Sequence, residues 1–225
     1  WYNQTLWDSG FIMAISKLNF NSLNVTPSAS SAIGFDSGAD DLETGAGGGS
    51  MVFISKFTSD GSDATATFTN IDSTYKEYIF IIKNIHPETD GTQFTVNFRD
   101  GSTAYDATKT SSGFNAYHLE DGSASALGYD GDADLGQGTG VQRLAWNIGN
   151  ENDENIGGSL HLFNPSSTTF VKHYISQMQH NNNNSYSNNQ YVAGYCNVTA
   201  AIDGVQFKMA SGEIQGGTIT LYGII

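Results

Sequence analysis

From Met51 onward, apolar and polar residues alternate with a period of two. The clearest run is Gln93 to Arg99, with Phe94, Val96 and Phe98 on one face and Thr95, Asn97 and Arg99 on the other, the signature of a half-buried strand. Val205, Phe207 and Met209 repeat it, as do Leu160 with Leu162 and Ile219 with Leu221. In Lys76 to Ile85 both faces are apolar, which predicts a central strand covered on both sides. Met51–Phe57, Ala64–Asn70, Phe114–Leu119, Val141–Asn147, Thr169–Met178 and Tyr191–Val198 are further strand candidates, and no convincing helix appears. Asp-Gly pairs at 60–61, 90–91, 100–101, 121–122, 130–131 and 203–204 supply the positive φ angles that tight turns need. His86-Pro87 and Asn164-Pro165 end strands, because proline removes a ladder donor. Short strands with frequent turns predict an all-β sandwich or barrel, read here as a jelly-roll-like β-sandwich with an extended N-terminal arm.

The period is missing before residue 51. Residues 1–50 carry scattered large apolar groups, Trp1, Trp7, Phe11 and Phe20, then the glycine run Gly45–Gly49, which has the composition of a flexible linker. The reading is an attachment arm and linker over 1–50 and a sandwich domain over 51–225; the bland reading of the arm is a loosely packed extension. Met13-Ala14-Ile15-Ser16-Lys17 resembles an ordinary translation start, so residues 1–12 read as an upstream extension or a trace of processing. Asp121–Gly140 and His180–Gln190 are polar enough to predict two long loops, available as contact surface or as solvated tips.

Charge narrows the partners. The 225 residues hold 9 Lys and Arg against 23 Asp and Glu, a net charge of -14, and the basic residues never cluster. Phosphate neutralisation needs a basic stripe, so nucleic acid is excluded as an expected partner, and anionic lipid is disfavoured for the same reason. No apolar run approaches the length of a membrane span, and the first residues lack the pattern of a secretory signal. The single cysteine, Cys196, sits in an alternating run and reads as a buried thiol.

Catalytic chemistry leaves no motif. His86, His118, His161, His173 and His180 have no metal-ligand or triad spacing, and Gly136-Gln-Gly138-Thr-Gly140 lacks the third glycine of a dinucleotide loop. The expectation is therefore a protein that is not an enzyme. Asp130-Gly-Asp132-Ala-Asp134 places three carboxylates at alternate positions, which suits Ca2+, yet Leu135 and Val141 stand where an EF-hand needs glycine and a bidentate acid. Solvated acidic loops are the competing account of it. Tyr117, Tyr129, Tyr186 and Tyr191, in or near the polar stretches, are candidates for stacking on a glycan, although a β core also consumes tyrosine.

Several runs carry a resemblance. They are Asp72-Ser-Thr-Tyr-Lys-Glu-Tyr-Ile-Phe, Asn84-Ile-His-Pro, Ala116-Tyr-His and Ala126-Leu-Gly-Tyr. Ile148-Gly-Asn-Glu-Asn-Asp-Glu, Leu162-Phe-Asn-Pro-Ser-Ser-Thr-Thr, Gln206-Phe-Lys-Met and Gly217-Thr-Ile-Thr-Leu-Tyr-Gly-Ile complete the set. Over about residues 60–225 the text resembles structural proteins of marine tailed phages, including cyanophages. The resemblance implies a bacteriophage virion component on the particle surface, as a capsid decoration, head fibre or tail-associated part. Its partners would be other virion proteins and copies of itself, in a homo-oligomer such as a trimer. The alternative is a tail-fibre or lectin-like module that binds a host surface glycan.

Overall fold

The structure, a computed structural model, describes residues 33–35, 42–44 and 50–225. The chain divides into two units, Trp1–Ser50 and Met51–Ile225. In the first, β1 (Ile33–Phe35) pairs antiparallel with β2 (Leu42–Thr44). Trp1, Trp7, Phe11, Phe20 and the Gly45–Gly49 run lie outside the described residues.

Residues 51–225 form the expected all-β sandwich, and among the described residues there is no helix. Its strands begin with β3 (Met51–Thr58), β4 (Ala66–Phe68), β5 (Glu77–Pro87), β6 (Thr92–Arg99) and β7 (Lys109–Leu119). They continue with β8 (Ser125–Tyr129), β9 (Leu135–Gly138), β10 (Gln142–Ile148) and β11 (Ile156–Phe163). The last are β12 (Lys172–Asn181), β13 (Tyr186–Cys196), β14 (Gly204–Met209) and β15 (Ile214–Ile224). One sheet has nine strands in the order β3-β15-β5-β11-β12-β13-β7-β8, with β9 also on β7; the other has four, β10-β6-β14-β4. Every pairing is antiparallel.

The sheets meet over aromatic side chains. Phe80 of the large sheet packs edge-on against Phe207 and Phe68 of the small one, at centroid distances of 5.3 Å each, while Phe94 stacks on Phe207 at 5.7 Å. Farther along, Phe98 of β6 meets Tyr174 of β12 at 5.0 Å. All of these but Phe68 are fully buried, and truncating such a ring costs about 3–5 kcal/mol. β12 shows the alternation most cleanly, with Lys172, Tyr174, Ser176, Met178 and His180 inward and the residues between them exposed.

Three expectations change. Asp121–Gly140 is not one long loop, because it contains β8 and β9, which cover the free edge of β7. β8 is exposed at every position, so no alternation announced it. His180–Gln190 is a hairpin whose turn occupies 182–185; the Asn182 carboxamide oxygen accepts from the Asn184 and Tyr186 amides at 3.0 Å each. Its inward residues, Asn188 and Gln190, are polar yet buried, and that hid the period. β5 is central, but only its inward face is covered along its length; on the outward face Ile79 is buried and its neighbours are not. Tyr78, Phe80 and Ile82 are buried inward, while Ile81 is 37% exposed and Lys83 is exposed on the other face.

The Asp-Gly turns mostly turn corners. Gly61, Gly91 and Gly101 take φ of 103°, 69° and 88°, and each leads the chain from one sheet to the other. Of the six pairs, only Asp121-Gly122, with φ 75° at the glycine, closes a hairpin between hydrogen-bonded neighbours, β7 and β8.

Candidate contact surface and recess

In an antiparallel pair, residues directly opposite one another share a face. Following the register across the large sheet gives one outward row, Tyr129–Phe114–Tyr191–Gln177–Ser159–Ile81–Thr220. The next row is Ser112–Ala193–Ile175–His161–Ile79–Tyr222–Phe53. Phe114 stacks on Tyr191 at 4.8 Å with 10° between the rings, and Phe53 meets Tyr222 at 6.1 Å edge-on. Phe53, Phe114, Tyr129 and Ile175 are 59%, 45%, 66% and 49% exposed. A shallow depression of 430 Å³ opens in this face beside Ser112, His173, Ile175, Ala193 and Tyr195. Small residues make the floor, and the His173 and Tyr195 rings, 5.9 Å apart, make one wall.

Charge is segregated around this face. Across β3 to β15, Glu77 is the one Asp or Glu within a strand; every other carboxylate of residues 51–225 stands in a turn or loop. Glu77 Oε1 is itself engaged by His161 Nδ1 at 2.7 Å. The acidic rims therefore frame a sheet face that is almost free of negative charge.

A second place gathers several residues read from the sequence. Asn115, Tyr129, Asp130, Asp132, Arg143 and Trp146 line a recess of 230 Å³ between the β7–β8 edge and β10. The Arg143 guanidinium donates to the Asp130 carboxylate, both side chains being 11% exposed, and lies 3.6 Å from Asp132. Tyr129 Oη donates to Asp134 Oδ2 at 2.7 Å, which raises the phenol's pKa. The three aspartates thus face a guanidinium and a phenol rather than one another. Among the described residues, no three His, Cys, Asp or Glu side chains gather as a metal site. Sequence reasoning missed Arg143; an arginine near three aspartates in an arginine-poor chain was the available signal.

The four tyrosines are not brought together. Tyr129 and Tyr191 are on the outward face, whereas Tyr117 and Tyr186 face inward on neighbouring strands, rings edge-to-face at 5.0 Å. The histidines are equally dispersed. His86 Nε2 is 3.1 Å from the Glu151 carbonyl oxygen and His118 Nδ1 is 2.7 Å from that of Leu119, while His180 is buried.

Cys196 is a buried free thiol, as its alternating context predicted, and burial pushes it up to about 12. It lies between two lysines in register, Lys172 on β12 and Lys109 on β7, both fully buried. Lys172 Nζ donates to the Val198 carbonyl at 2.5 Å. Sequence reading gave no sign of these lysines. No protein-family model, curated protein or solved structure matches the chain.

Proposed function

We propose that the chain is a non-enzymatic structural protein displayed on the surface of a tailed-phage particle, held to it through residues 1–50 and associated with its own copies through the outward face of the large sheet. The observation that carries this reading is the segregation of charge. Two chains of net charge -14 repel, and a sheet face whose strands bear Glu77 as their one carboxylate lets copies approach with less repulsion than the acidic turns and loops do. Exposed aromatic and aliphatic side chains there give contact area, and contiguous apolar surface of this kind marks interaction sites. The runs that resemble phage structural proteins support the particle context. Four of them lie at least partly on β5, β11 and β15, which are neighbours in this sheet.

The test has two parts. Electron cryomicroscopy and peptide mass spectrometry of purified particles are expected to find the chain on the exterior; its absence from particles would sink the proposal. Light scattering of the purified protein is expected to give a closed oligomer that Ile81→Glu with Ile175→Glu reduces to monomers, melting temperature unchanged.

A lectin-like tail module is favoured by one observation, the recess where exposed Tyr129 stands beside Asn115, Asp132 and Trp146. Selective binding on a glycan array that Tyr129→Ala abolishes would replace the first reading with this one.

A further inference from the structure

Lys109 is fully buried, and no carboxylate among the described residues lies within ion-pair distance of it. An ammonium in that position is costly, because burial without a counter-charge favours the neutral amine. Its Nζ reaches two oxygens, the Ala107 carbonyl at 2.7 Å and the Asn97 carboxamide Oδ1 at 2.5 Å. Asn97 is 7% exposed and stands beyond the end of β10, whose first paired residue, Gln142, lies opposite Val96.

The carboxamide is held from three sides. The Phe98 amide donates to Oδ1 at 3.0 Å, Lys109 donates to the same oxygen, and Nδ2 donates to the Thr139 carbonyl at 3.2 Å. With a C=O bond of about 1.23 Å, an Nζ held 2.5 Å from Oδ1 is within about 3.7 Å of Cγ, so a rotation of the Lys109 side chain that breaks this hydrogen bond is what brings its lone pair over the carbonyl face.

We infer that Asn97 and Lys109 are the two halves of an isopeptide cross-link that the folded chain forms by itself. The lone pair of neutral Lys109 Nζ attacks Asn97 Cγ, and negative charge develops on Oδ1. The Phe98 N–H, already aimed at that oxygen, stabilises it as an oxyanion-hole donor does. The Cγ–Nδ2 bond then breaks, a proton passes from Nζ to Nδ2, and ammonia leaves. One C–N bond replaces another, so no oxidant, reductant or cofactor enters. The amide joins β6 of the small sheet to β7 of the large one, a covalent tie in a chain whose single cysteine allows no internal disulfide.

The reactive form is accessible. Burial pulls the Lys109 amine down to about 8, against the opposing pull of nearby Cys196, Asp106 and Asp100. Cross-linking is accordingly faster as pH rises through that value.

Intact-mass spectrometry of the purified full chain tests this, before and after a day at about pH 9, above the amine's pKa. The expected mass is one ammonia below that of the sequence. Trypsin should release residues 84–99 joined through Asn97 to 100–143, uncut after Lys109. Asn97→Asp is expected to lose one water instead, and Lys109→Met to keep its sequence mass. A wild-type chain that holds its full sequence mass at both pH values overturns the inference, as does an ammonia loss mapped to another residue. The wild-type measurement decides even if a variant fails to fold.

Discussion

His180 Nε2 donates to the carbonyl oxygen of Trp146 at 2.9 Å, tying β12 of one sheet to β10 of the other through a buried imidazole. Burial lowers its pKa from 6.5 to about 4. Between those values the unfolded chain binds a proton that the folded chain refuses. Stability from this group is therefore complete above about pH 6.5 and is lost as pH falls toward 4, by roughly 3 kcal/mol in all. Urea midpoints of the wild type should fall across this window more steeply than those of His180→Gln. Parallel curves would refute the neutral, buried imidazole.

Gly158 of β11 stands opposite Met178 of β12. A Cβ there would lie 2.2 Å from the Gln177 carbonyl oxygen and 2.8 Å from Met178 Sδ, so the strands would have to separate. Gly158→Ala is expected to cost about 1–3 kcal/mol, the range for overpacked cores. Gly128→Ala on β8, where nothing lies within 4 Å, should melt with the wild type in calorimetry.

Arg143 compensates a carboxylate that is 11% exposed. Arg143→Met leaves Asp130 without its partner and is expected to cost about 3 kcal/mol, much of it restored in the double variant with Asp130→Asn. Chemical denaturation of the three variants reads this directly. Because the guanidinium and Tyr129 engage these aspartates, a chelator should leave the melting temperature unchanged.

The parts of the fold that the sequence revealed are those with apolar residues inward and polar residues outward. β6, β14 and β15 were legible as strands because Phe94, Val96, Phe207, Ile219 and Leu221 sit at alternate positions and are all buried. β6 is nevertheless not the half-buried strand its alternation predicts, since Thr95 and Asn97 on its polar face are buried too. β8 escaped because both its faces are exposed, and the start of β13 because Asn188 and Gln190 are polar on the buried side. The recess was half legible. Tyr129, Asp130 and Asp132 are neighbours in the chain, whereas Arg143 and Trp146 arrive from β10 across the gap between sheets. Asn97 and Lys109 look unremarkable in sequence, since their meeting depends on the corner at Asp100-Gly101 that carries the chain between sheets.

The position of β15 also bears on how the molecule assembles. It lies between β3 and β5, so Phe57 is joined to its neighbour in the sheet, Ile219, across most of the domain's length. β3 has no seat until residues near 220 have left the ribosome, and the β3–β15 edge of the large sheet closes last. Contacts of such long sequence separation fold slowly, and nascent chains meanwhile expose unpaired strand edges. Expression yield should accordingly depend on temperature and chaperone supply more than on the final stability of the domain.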